Sequence, residues 1–491
     1  MRSFVDRLSS FAAPSDRWIA AIGCAGAAIG LGYALQISNG TIHPEAITLL
    51  IVALVLAGIS VAHPRLGLVE RWGEPTAVAV LGAGLILGVF VHLTTSPGSY
   101  LQVGPDGYVR HHQWVAAMAV LAGAGLSKTP WLGPARTMLF LAVGFLLGLW
   151  LLSASPNPTI DVFVWHREAY EAVRHGVSPY AITIPNIYGR TEWYAPGLAD
   201  ATRVFVGYPY PPLTLALGAF GQLAANDYRY ANLGALILSA GLIAFSRPGR
   251  IAPAAAAILL LSPRSLFVLE QGWTESTAIL AFSVTVFCAC RTPRVLPWAF
   301  GAMLATKQYF VLCAPLAFLL MPPPLTLRSA IAFAWRAMLV PVVLTLPFVL
   351  WSPKAFFDSV VLFQVLQPYR ADSLSFLAWT MVNGVPRIPL WAGFAALIPA
   401  YLLALFRAPR TPFGFAAASG LMFLMFFAFS KQAFCNYYFL IVGVLCAAVG
   451  AANPAPAAEA AKPASIEAAP TAGVEPISAS TAGSETQIAL S

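Results

Sequence analysis

A cluster of ionisable side chains follows one of the most apolar runs of the chain. The run LFLAVGFLLGLWLLSAS ends at Ser155, and the stretch IDVFVWHREAYEAVRHGVSPY begins at Ile160. Its ionisable side chains are those of Asp161, His166, Arg167, Glu168, Glu171, Arg174 and His175. Carboxylates and imidazoles commonly transfer protons in enzymes, so this stretch is a candidate for acid–base chemistry. The alternative is that Asp161 only caps a helix in the membrane interface.

The spacing from Asp161 to Gly176 predicts an amphipathic helix. An apolar stripe at helical spacing contains Val162, Trp165, Ala169, Ala172 and Val173. Asp161 occupies the position of an N-cap, Gly176 is suited to the residue after the helix, and Pro179 prevents its continuation. We expect this helix to lie in the outer interface, with Trp165 among the lipid headgroups.

The composition of the chain predicts a membrane protein. Of its 491 residues, 58% are hydrophobic and 10% are charged, whereas soluble domains have about 25% charged residues. The apolar runs are continuous rather than alternating, which favours helices over barrel strands. We therefore predict an all-α polytopic protein with about 13–14 transmembrane helices. The candidate spans lie near 17–36, 44–62, 75–95, 113–127, 134–154, 209–226, 228–246, 250–263, 271–290, 297–321, 331–350, 386–406, 411–430 and 434–451.

The remaining composition argues against several other classes of protein. The six cysteines lie mostly within the predicted spans, where thiols behave as small apolar groups, so we predict no disulfide framework. The net charge of +8 is explained by Lys and Arg at span ends and does not imply a nucleic-acid partner. No spacing of Asp, Glu or His indicates a metal site, and we expect no cofactor.

Charge asymmetry predicts the orientation. Arginines precede or open the first span at Arg2, Arg7 and Arg17. The N-terminus is therefore expected in the cytoplasm, and five crossings place Asp161 outside. Arg407 and Arg410 lie in a turn that is expected inside, which places the following polar turn outside. Three polar segments then share the outer face, namely 155–208, 352–385 and 430–436.

The middle of the chain conflicts with this charge rule. Six crossings between 209 and 350 place two pairs of arginines outside, Arg247 with Arg250 and Arg291 with Arg294. Either one of the short segments is re-entrant or interfacial, or these arginines have a purpose at the outer surface.

The loop after the predicted amphipathic helix is long and aromatic. It contains Tyr188, Trp193, Tyr194, Tyr208 and Tyr210 among Pro, Gly and Asn. Loops of this length are usually functional or disordered, and this composition is too aromatic for disorder. Aromatic rings with polar tips suit sugar faces, and they equally suit a belt at the membrane interface.

The order of these features resembles the GT-C superfamily of membrane glycosyltransferases, and within it the polyprenyl-phosphate-mannose-dependent α-mannosyltransferase branch. The resemblance rests on Asp161 with VFVW, on Gly176 with Pro179–Tyr180, and on the YPPL of 210–213. Weaker similarity covers LEQGWTESTAIL at 269–280 and ATKQYFVLCAPL at 305–316. The chain departs from that branch in three places. Trp165 replaces a common Tyr, Gln308 a frequent Pro, and SKQAFCNYYFL a His-bearing motif.

The resemblance implies a domain organisation. Residues 134–451 would form the GT-C-like module, with outer loops 155–208 and 352–385, and residues 1–133 would be N-terminal transmembrane helices outside it. Residues 452–491 are rich in Ala and Pro and contain no aromatic residue, which predicts a disordered cytoplasmic tail.

The resemblance also implies an activity, the transfer of a hexose, mannose being one candidate, from a polyprenyl-phosphate donor. The acceptor would be a lipid or glycan on the extracytoplasmic face of the plasma membrane. Asp161 would be the general base, with Glu168 and Glu171 as reserve candidates. Cations on the same face would hold the donor phosphate, and the candidates are Lys307, Arg370 and Lys431. The predicted substrate-binding residues are His166, Tyr180, Tyr188, Tyr208 and Tyr210.

Three alternatives stay open. An ionisable group inside a span is a functional candidate by default, but Lys307 could also snorkel or form a structural ion pair. The whole chain could instead be a transporter or flippase for a lipid-linked substrate, for which Glu275 and Lys307 are the best evidence, or a polymerase or ligase of lipid-linked glycans, which would use a different donor.

Overall fold

A computed structural model describes residues 16–62, 73–127, 133–386 and 388–453. Arg2, Arg7 and all of the predicted tail except Ala452 and Asn453 lie outside the described residues. The prediction of an all-α protein is confirmed in the described part, where the only named strands are β1 (Ile184–Pro185) and β2 (Arg203–Val204), which pair antiparallel.

The helices that precede the long loop at 155–208 are α1 (Asp16–Ser38), α2 (Pro44–Ala62), α3 (Glu74–Thr94), α4 (Pro105–Leu126) and α5 (Gly133–Ala154). Within the loop lies α6 (Asp161–Arg174). The helices that follow the loop are α7 (Pro212–Ala225), α8 (Arg229–Ala244), α9 (Ile251–Leu260), α10 (Ser265–Glu270), α11 (Glu275–Arg291) and α12 (Leu296–Leu304).

The C-terminal half begins with a 3-10 helix (Gln308–Leu320) and continues with α13 (Leu327–Trp351), α14 (Pro353–Phe357), a π-helical turn (Asp358–Leu362), α15 (Phe363–Leu366), α16 (Phe376–Val382), α17 (Ala392–Arg407), α18 (Pro412–Ala428) and α19 (Cys435–Gly450). Five of the described helices are long and apolar enough to cross a membrane, namely α1 from Trp18 onward, α2, α3, α5 and α13.

The helices differ in how much of their surface the bundle covers. The side chains of α18 and α19 are almost all buried, so these helices form the centre. By contrast, only 6% of the most apolar window of α13 is buried. A helix that stays apolar while it is this exposed is suited to lipid rather than water.

Loops at one end of the bundle converge, and we call this the Asp161 end. The backbone N–H of Leu374 donates to the carbonyl oxygens of Gly40 at 3.1 Å and Ala433 at 3.0 Å, and Thr41 forms a β-bridge with Ser373. The N–H of Gly207 donates to Ser359 Oγ at 3.1 Å. The three polar segments predicted to share a face therefore meet at one end, as expected.

Helix α7 does not cross the bundle, contrary to the predicted span 209–226. Tyr210, just before α7, lies 6.0 Å from the ring of His166, and Tyr228, just after it, stacks on the same ring at 3.9 Å. Both flanks of α7 are therefore at the Asp161 end. Phe220 and Leu223 are apolar and exposed on α7. The high hydropathy of this helix is therefore explained by contact with lipid and does not require that it crosses the membrane.

The predicted span 297–321 is also divided in two. Helix α12 begins near the far end of α11, where the N–H of Val295 donates to the carbonyl oxygen of Thr292 at 3.0 Å. The chain then turns at Lys307, and the 3-10 helix returns to Met321, whose carbonyl oxygen accepts from Arg410 at 3.0 Å. This segment is thus a hairpin with Lys307 at its tip.

Because α7 does not cross, two pairs of arginines are assigned to a different end of the bundle. Arg250 forms an ion pair with Glu74 at 2.8 Å, and Arg291 donates to the carbonyl oxygen of Phe245 at 3.2 Å. These contacts place Arg247 and Arg250, and likewise Arg291 and Arg294, at the end opposite to Asp161. The count that put them on the face of Asp161 treated α7 as a crossing. Of the two explanations left open, a short segment that does not cross is therefore the one that these contacts support.

Candidate active site

Asp161 lies where the chain leaves α5 and enters α6. Pro156 and Pro158 end the preceding helix, and Ile160 has the extended backbone of an N-cap residue. Asp161 is therefore the first residue of α6 rather than its cap, which corrects the predicted capping position. Gly176 takes the predicted left-handed conformation after the helix, with φ of +70°.

The buried face of α6 is wider than the predicted stripe. His166 and Tyr170 are buried with the apolar residues, whereas Val173 is 42% exposed. Glu168 and Glu171 lie at the surface and form ion pairs with Arg167 at 3.2 Å and Arg174 at 3.0 Å. These reserve candidates for the base are engaged on the outer side of the helix.

The Asp161 carboxylate is held in a partly buried position. Its Oδ1 accepts from the backbone N–H of Val162 at 2.8 Å, and its own backbone N–H donates to the Tyr188 hydroxyl oxygen at 3.1 Å. Burial raises the pKa of the Asp161 carboxyl to about 6, while the Val162 N–H and the charge of Arg370 oppose this rise. A carboxylate with such a pKa is a stronger base than an ordinary one and is still mostly ionised at pH 7.

Arg370 is the cation whose charge acts on Asp161. Its Nε and Nη2 atoms donate to the two carboxylate oxygens of Asp372 at 2.8 and 2.7 Å. Its guanidinium carbon lies 4.5 Å from the ring centroid of Trp193, and Trp193 in turn packs against Tyr188 at 4.8 Å. The side chain of Arg370 is 18% exposed. Stacking on Trp193 and the two parallel hydrogen bonds to Asp372, which we call the fork, fix the guanidinium of Arg370. Part of the guanidinium remains accessible.

Lys431 forms hydrogen bonds to the segment that contains Arg370. Its Nζ donates to the carbonyl oxygen of Val365 at 2.7 Å, and its own carbonyl oxygen accepts from the backbone N–H of Arg370 at 3.1 Å. Burial lowers the pKa of Lys431. These contacts favour a positioning role for Lys431.

Lys307 occupies a second polar centre beneath Tyr210. Its Nζ lies 3.0 Å from Glu275 Oε1 and 4.2 Å from the centroid of the Tyr210 ring. The side chains of Lys307 and Glu275 are 5% and 0% exposed. The Tyr309 hydroxyl also approaches Glu275 Oε1, at 3.5 Å, whereas Oε2 has no hydrogen-bond partner among the described residues. The ion-pair interpretation of Lys307 thus matches its geometry.

Three of the predicted substrate-binding residues form a support beneath Asp161. His166 contacts Tyr208 through Nε2 at 2.9 Å and the carbonyl oxygen of Val162 through Nδ1 at 2.9 Å. Burial lowers the pKa of His166 to about 3, so its ring is neutral. The Tyr180 hydroxyl donates to the carbonyl oxygen of Tyr210 at 3.1 Å. Because their polar atoms bind the protein itself, His166, Tyr180 and Tyr208 are placed to position other residues.

Tyr188, Trp193 and Tyr210 are partly exposed aromatic residues of the site. Burial and the nearby Asp161 charge raise the pKa of Tyr188, which therefore stays protonated. The prediction from sequence did not include Trp193, Tyr309 or Tyr437 among the site residues. Tyr437 lies within electrostatic range of both Glu275 and Asp161. The run NYYF at 436–439 was the only signal for Tyr437, and it does not differ from an ordinary apolar helix start.

The structure therefore forms two adjoining groups. Asp161, Tyr188, Trp193 and Arg370 lie at the surface of the Asp161 end, and Lys307 lies with Glu275 in the interior. The described residues include no group of three His, Cys, Asp or Glu side chains that could hold a metal ion. Comparison with family profiles, with curated protein sequences and with solved structures finds no match for this chain.

Proposed function

We propose that the protein is a membrane glycosyltransferase that moves a hexose from a polyprenyl-phosphate donor to a lipid or glycan hydroxyl. One observation carries the proposal: a partly buried carboxylate of raised pKa lies within the field of a stacked, partly exposed arginine. Sugar transfer from a lipid phosphate needs this combination, a base for the acceptor and a cation for the leaving group.

In the proposed step, the acceptor oxygen forms a bond to the anomeric carbon of the sugar. The bond between that carbon and the phosphate oxygen breaks, and the polyprenyl phosphate leaves with the electron pair. The hydroxyl proton passes to Asp161. Arg370 stabilises the charge that develops on the departing phosphate, through the edge of its guanidinium that Asp372 does not engage.

The two other predicted phosphate ligands have smaller parts in this proposal. Lys307 is neutralised by Glu275 and buried, so its contribution is the position of Tyr210 below the sugar. Lys431 holds the segment that carries Arg370. The partly exposed rings of Tyr188, Trp193 and Tyr210 offer faces on which a pyranose can stack.

The proposed architecture is GT-C-like, with about 13–14 segments crossing the plasma membrane. In this count the two arms of the hairpin at Lys307 cross separately, and α6 and α7 lie in the outer interface. The arginines at the opposite end then obey the positive-inside rule, which supports an extracytoplasmic position for Asp161 in this proposal.

Cysteine labelling tests this orientation. In a background without native thiols, Tyr188→Cys should react with an impermeant maleimide added outside intact cells, and Arg294→Cys only after permeabilisation. Labelling of both positions in intact cells would contradict the assignment.

One observation favours a second candidate function, a transporter or flippase for a lipid-linked substrate. The buried pair of Lys307 and Glu275 includes a carboxylate oxygen without a partner in the described part of the chain, and such groups mark transport pathways in membranes. A flippase would move a fluorescent polyprenyl-phosphate sugar across vesicles without breaking its sugar–phosphate bond.

Radiolabelled donor tests the transferase proposal directly. Membranes that contain the protein are supplied with polyprenyl phosphates carrying different labelled hexoses, and label that leaves the carrier is measured by extraction and chromatography. We expect one sugar to be transferred by the wild type and not by Asp161→Asn. The proposal would be wrong if every label stayed on its carrier while the same donor crossed the bilayer intact.

A further inference from the structure

A separate cleft lies at the Asp161 end, between α4 and α5. It consists of two adjoining cavities of about 480 and 390 Å³, both lined by Arg110, Trp150 and Ser153. Volumes of this size are typical of small-molecule and cofactor sites. None of the residues assigned to sugar transfer lines either cavity, so the cleft needs its own explanation.

The polarity of the cleft changes along its length. The cavity nearer the loop is lined by polar groups that include Gln102 and Asp106. The cavity that extends along α5 adds Leu146 and Leu149 to a lining that still includes Arg110 and Trp114. Leu146 precedes the end of α5 by two helical turns, or about 12 Å. Polar groups near the loop and leucines further along α5 are suited to an amphiphile rather than to a free ion.

Arg110 supplies the charge of the cleft. Its side chain is exposed, and it forms no hydrogen bond or ion pair within the described part of the chain, although Asp106 lies one helical turn away. Trp114, Trp150 and Tyr230, whose side chains each carry one hydrogen-bond donor, line the same cavity. An unpaired guanidinium thus shares a cavity with three residues that can donate hydrogen bonds, a combination that favours a phosphate group.

Arg110 lies near the end of α4 that belongs to the Asp161 end, a position that is at headgroup level if this helix crosses a bilayer. It is in the second turn of α4, roughly 7 Å from the start of that helix. Arg and Trp side chains at this depth contact the headgroup region of a bilayer. The predicted span 113–127 omitted these turns because YVRHHQW is polar, but the structure extends the helix to Pro105.

We infer that this cleft binds an anionic membrane phospholipid. The phosphodiester contacts Arg110 with the indole and hydroxyl donors around it, and an acyl chain follows Leu146 and Leu149 toward the membrane. This site lies in the N-terminal helices and does not depend on the proposed transfer of sugar.

Native mass spectrometry of the full-length protein in detergent tests the inference. The protein is titrated with phosphatidylglycerol, with phosphatidylcholine of the same chains, and with inorganic phosphate. We expect phosphatidylglycerol to bind in preference to phosphatidylcholine, and inorganic phosphate not to displace it. Arg110→Gln should weaken phosphatidylglycerol binding about tenfold, as expected for a lost charged hydrogen bond.

Arg174→Gln is the matched control, because it removes the same charge from an exposed arginine at the same end. It should leave lipid binding unchanged. If Arg110→Gln does not fold, Ser153→Leu decides the question, since it fills the cleft and keeps the charge. Equal binding of both lipids, or unchanged binding in the folded Arg110 and Ser153 variants, would overturn the inference. Displacement by inorganic phosphate at equal concentration would identify a site for soluble anions instead.

Discussion

Two pairs of opposite charges lie close together in this protein, and their surroundings differ. Asp161 and Arg370 lie at the surface of the Asp161 end, which we call the rim. The Arg370 side chain is 18% exposed there. Lys307 and Glu275 are in the interior, with side chains 5% and 0% exposed. In the interior pair each charge neutralises the other directly, at 3.0 Å. At the rim Arg370 is bound to Asp372, and Asp161 has no cation in direct contact among the described residues.

This difference indicates a division of labour. A buried ion pair has already lost its water and cannot exchange partners cheaply, so removing one member leaves an uncompensated charge. A carboxylate at the rim with a raised pKa can take a proton and release it to solvent. We therefore assign a catalytic role to Asp161 and Arg370 at the rim, and a structural role to Lys307 and Glu275 in the interior.

The largest expected effect is on activity at the rim. Asp161→Asn keeps the shape and the acceptor for the Val162 N–H but removes the base. We expect the rate of sugar transfer to fall by about 10²–10⁴-fold, while the temperature of thermal unfolding is not lowered. The measurement is the rate of label transfer from the polyprenyl-phosphate donor. Glu168→Gln, about two turns further along α6, is the control and should transfer at the wild-type rate.

The interior pair should respond in the opposite way. Lys307→Met leaves Glu275 buried without its partner, and we expect the protein to lose about 3–5 kcal/mol of stability. Combining Lys307→Met with Glu275→Leu removes both charges and should restore most of that stability. Thermal unfolding of purified protein in detergent reads out both variants. A folded, stable Lys307→Met variant with selectively weakened donor use would instead return Lys307 to the phosphate site.

Arg370 should show an intermediate effect on activity. Arg370→Lys keeps the charge but loses the fork to Asp372 and the stacking on Trp193. We expect donor use to weaken about tenfold, with the acceptor KM little changed. Arg190→Lys is a control for stacking, because Arg190 also lies over the Trp193 ring, at 5.7 Å. An equal loss in both variants would attribute the effect to the ring rather than to the phosphate.

The smallest expected effect is on stability as a function of pH. Burial raises the Asp161 pKa from the ordinary 3.8 to about 6. Its stabilising contribution is therefore complete below pH 3.8 and is lost as pH rises through 6. Asp161→Asn should thus unfold at a higher temperature than the wild type at pH 7.5, and the difference should shrink toward pH 4. Wild-type transfer should rise as pH increases through about 6.

Local structure could be predicted where short-range patterns determine it. The helix that begins at Asp161 and the left-handed residue Gly176 after it follow from amphipathic spacing and turn chemistry. The meeting of three polar segments at one end follows from span counting. The burial of His166 could not be predicted, since its partners Tyr208 and Tyr228 approach from a distant part of the chain.

The path of the chain was harder to predict than the class of the fold. Hydropathy reports which solvent surrounds a segment, so it did not distinguish α7, which lies along the Asp161 end, from a crossing helix. It also joined two arms of a hairpin, because Lys307 at the tip is one polar residue in an apolar run. The partner that makes Lys307 tolerable, Glu275, is 32 residues away and is identified only by the fold.

The central claim is that the rim does the chemistry and the interior pair holds the fold. One side-by-side measurement tests it: label transfer from the same donor by folded Asp161→Asn and by the double variant Lys307→Met with Glu275→Leu. We predict that the first is inactive and that the double variant stays within about tenfold of the wild type, because it loses no group that touches the phosphate. An active Asp161→Asn beside an inactive but folded double variant would contradict the account.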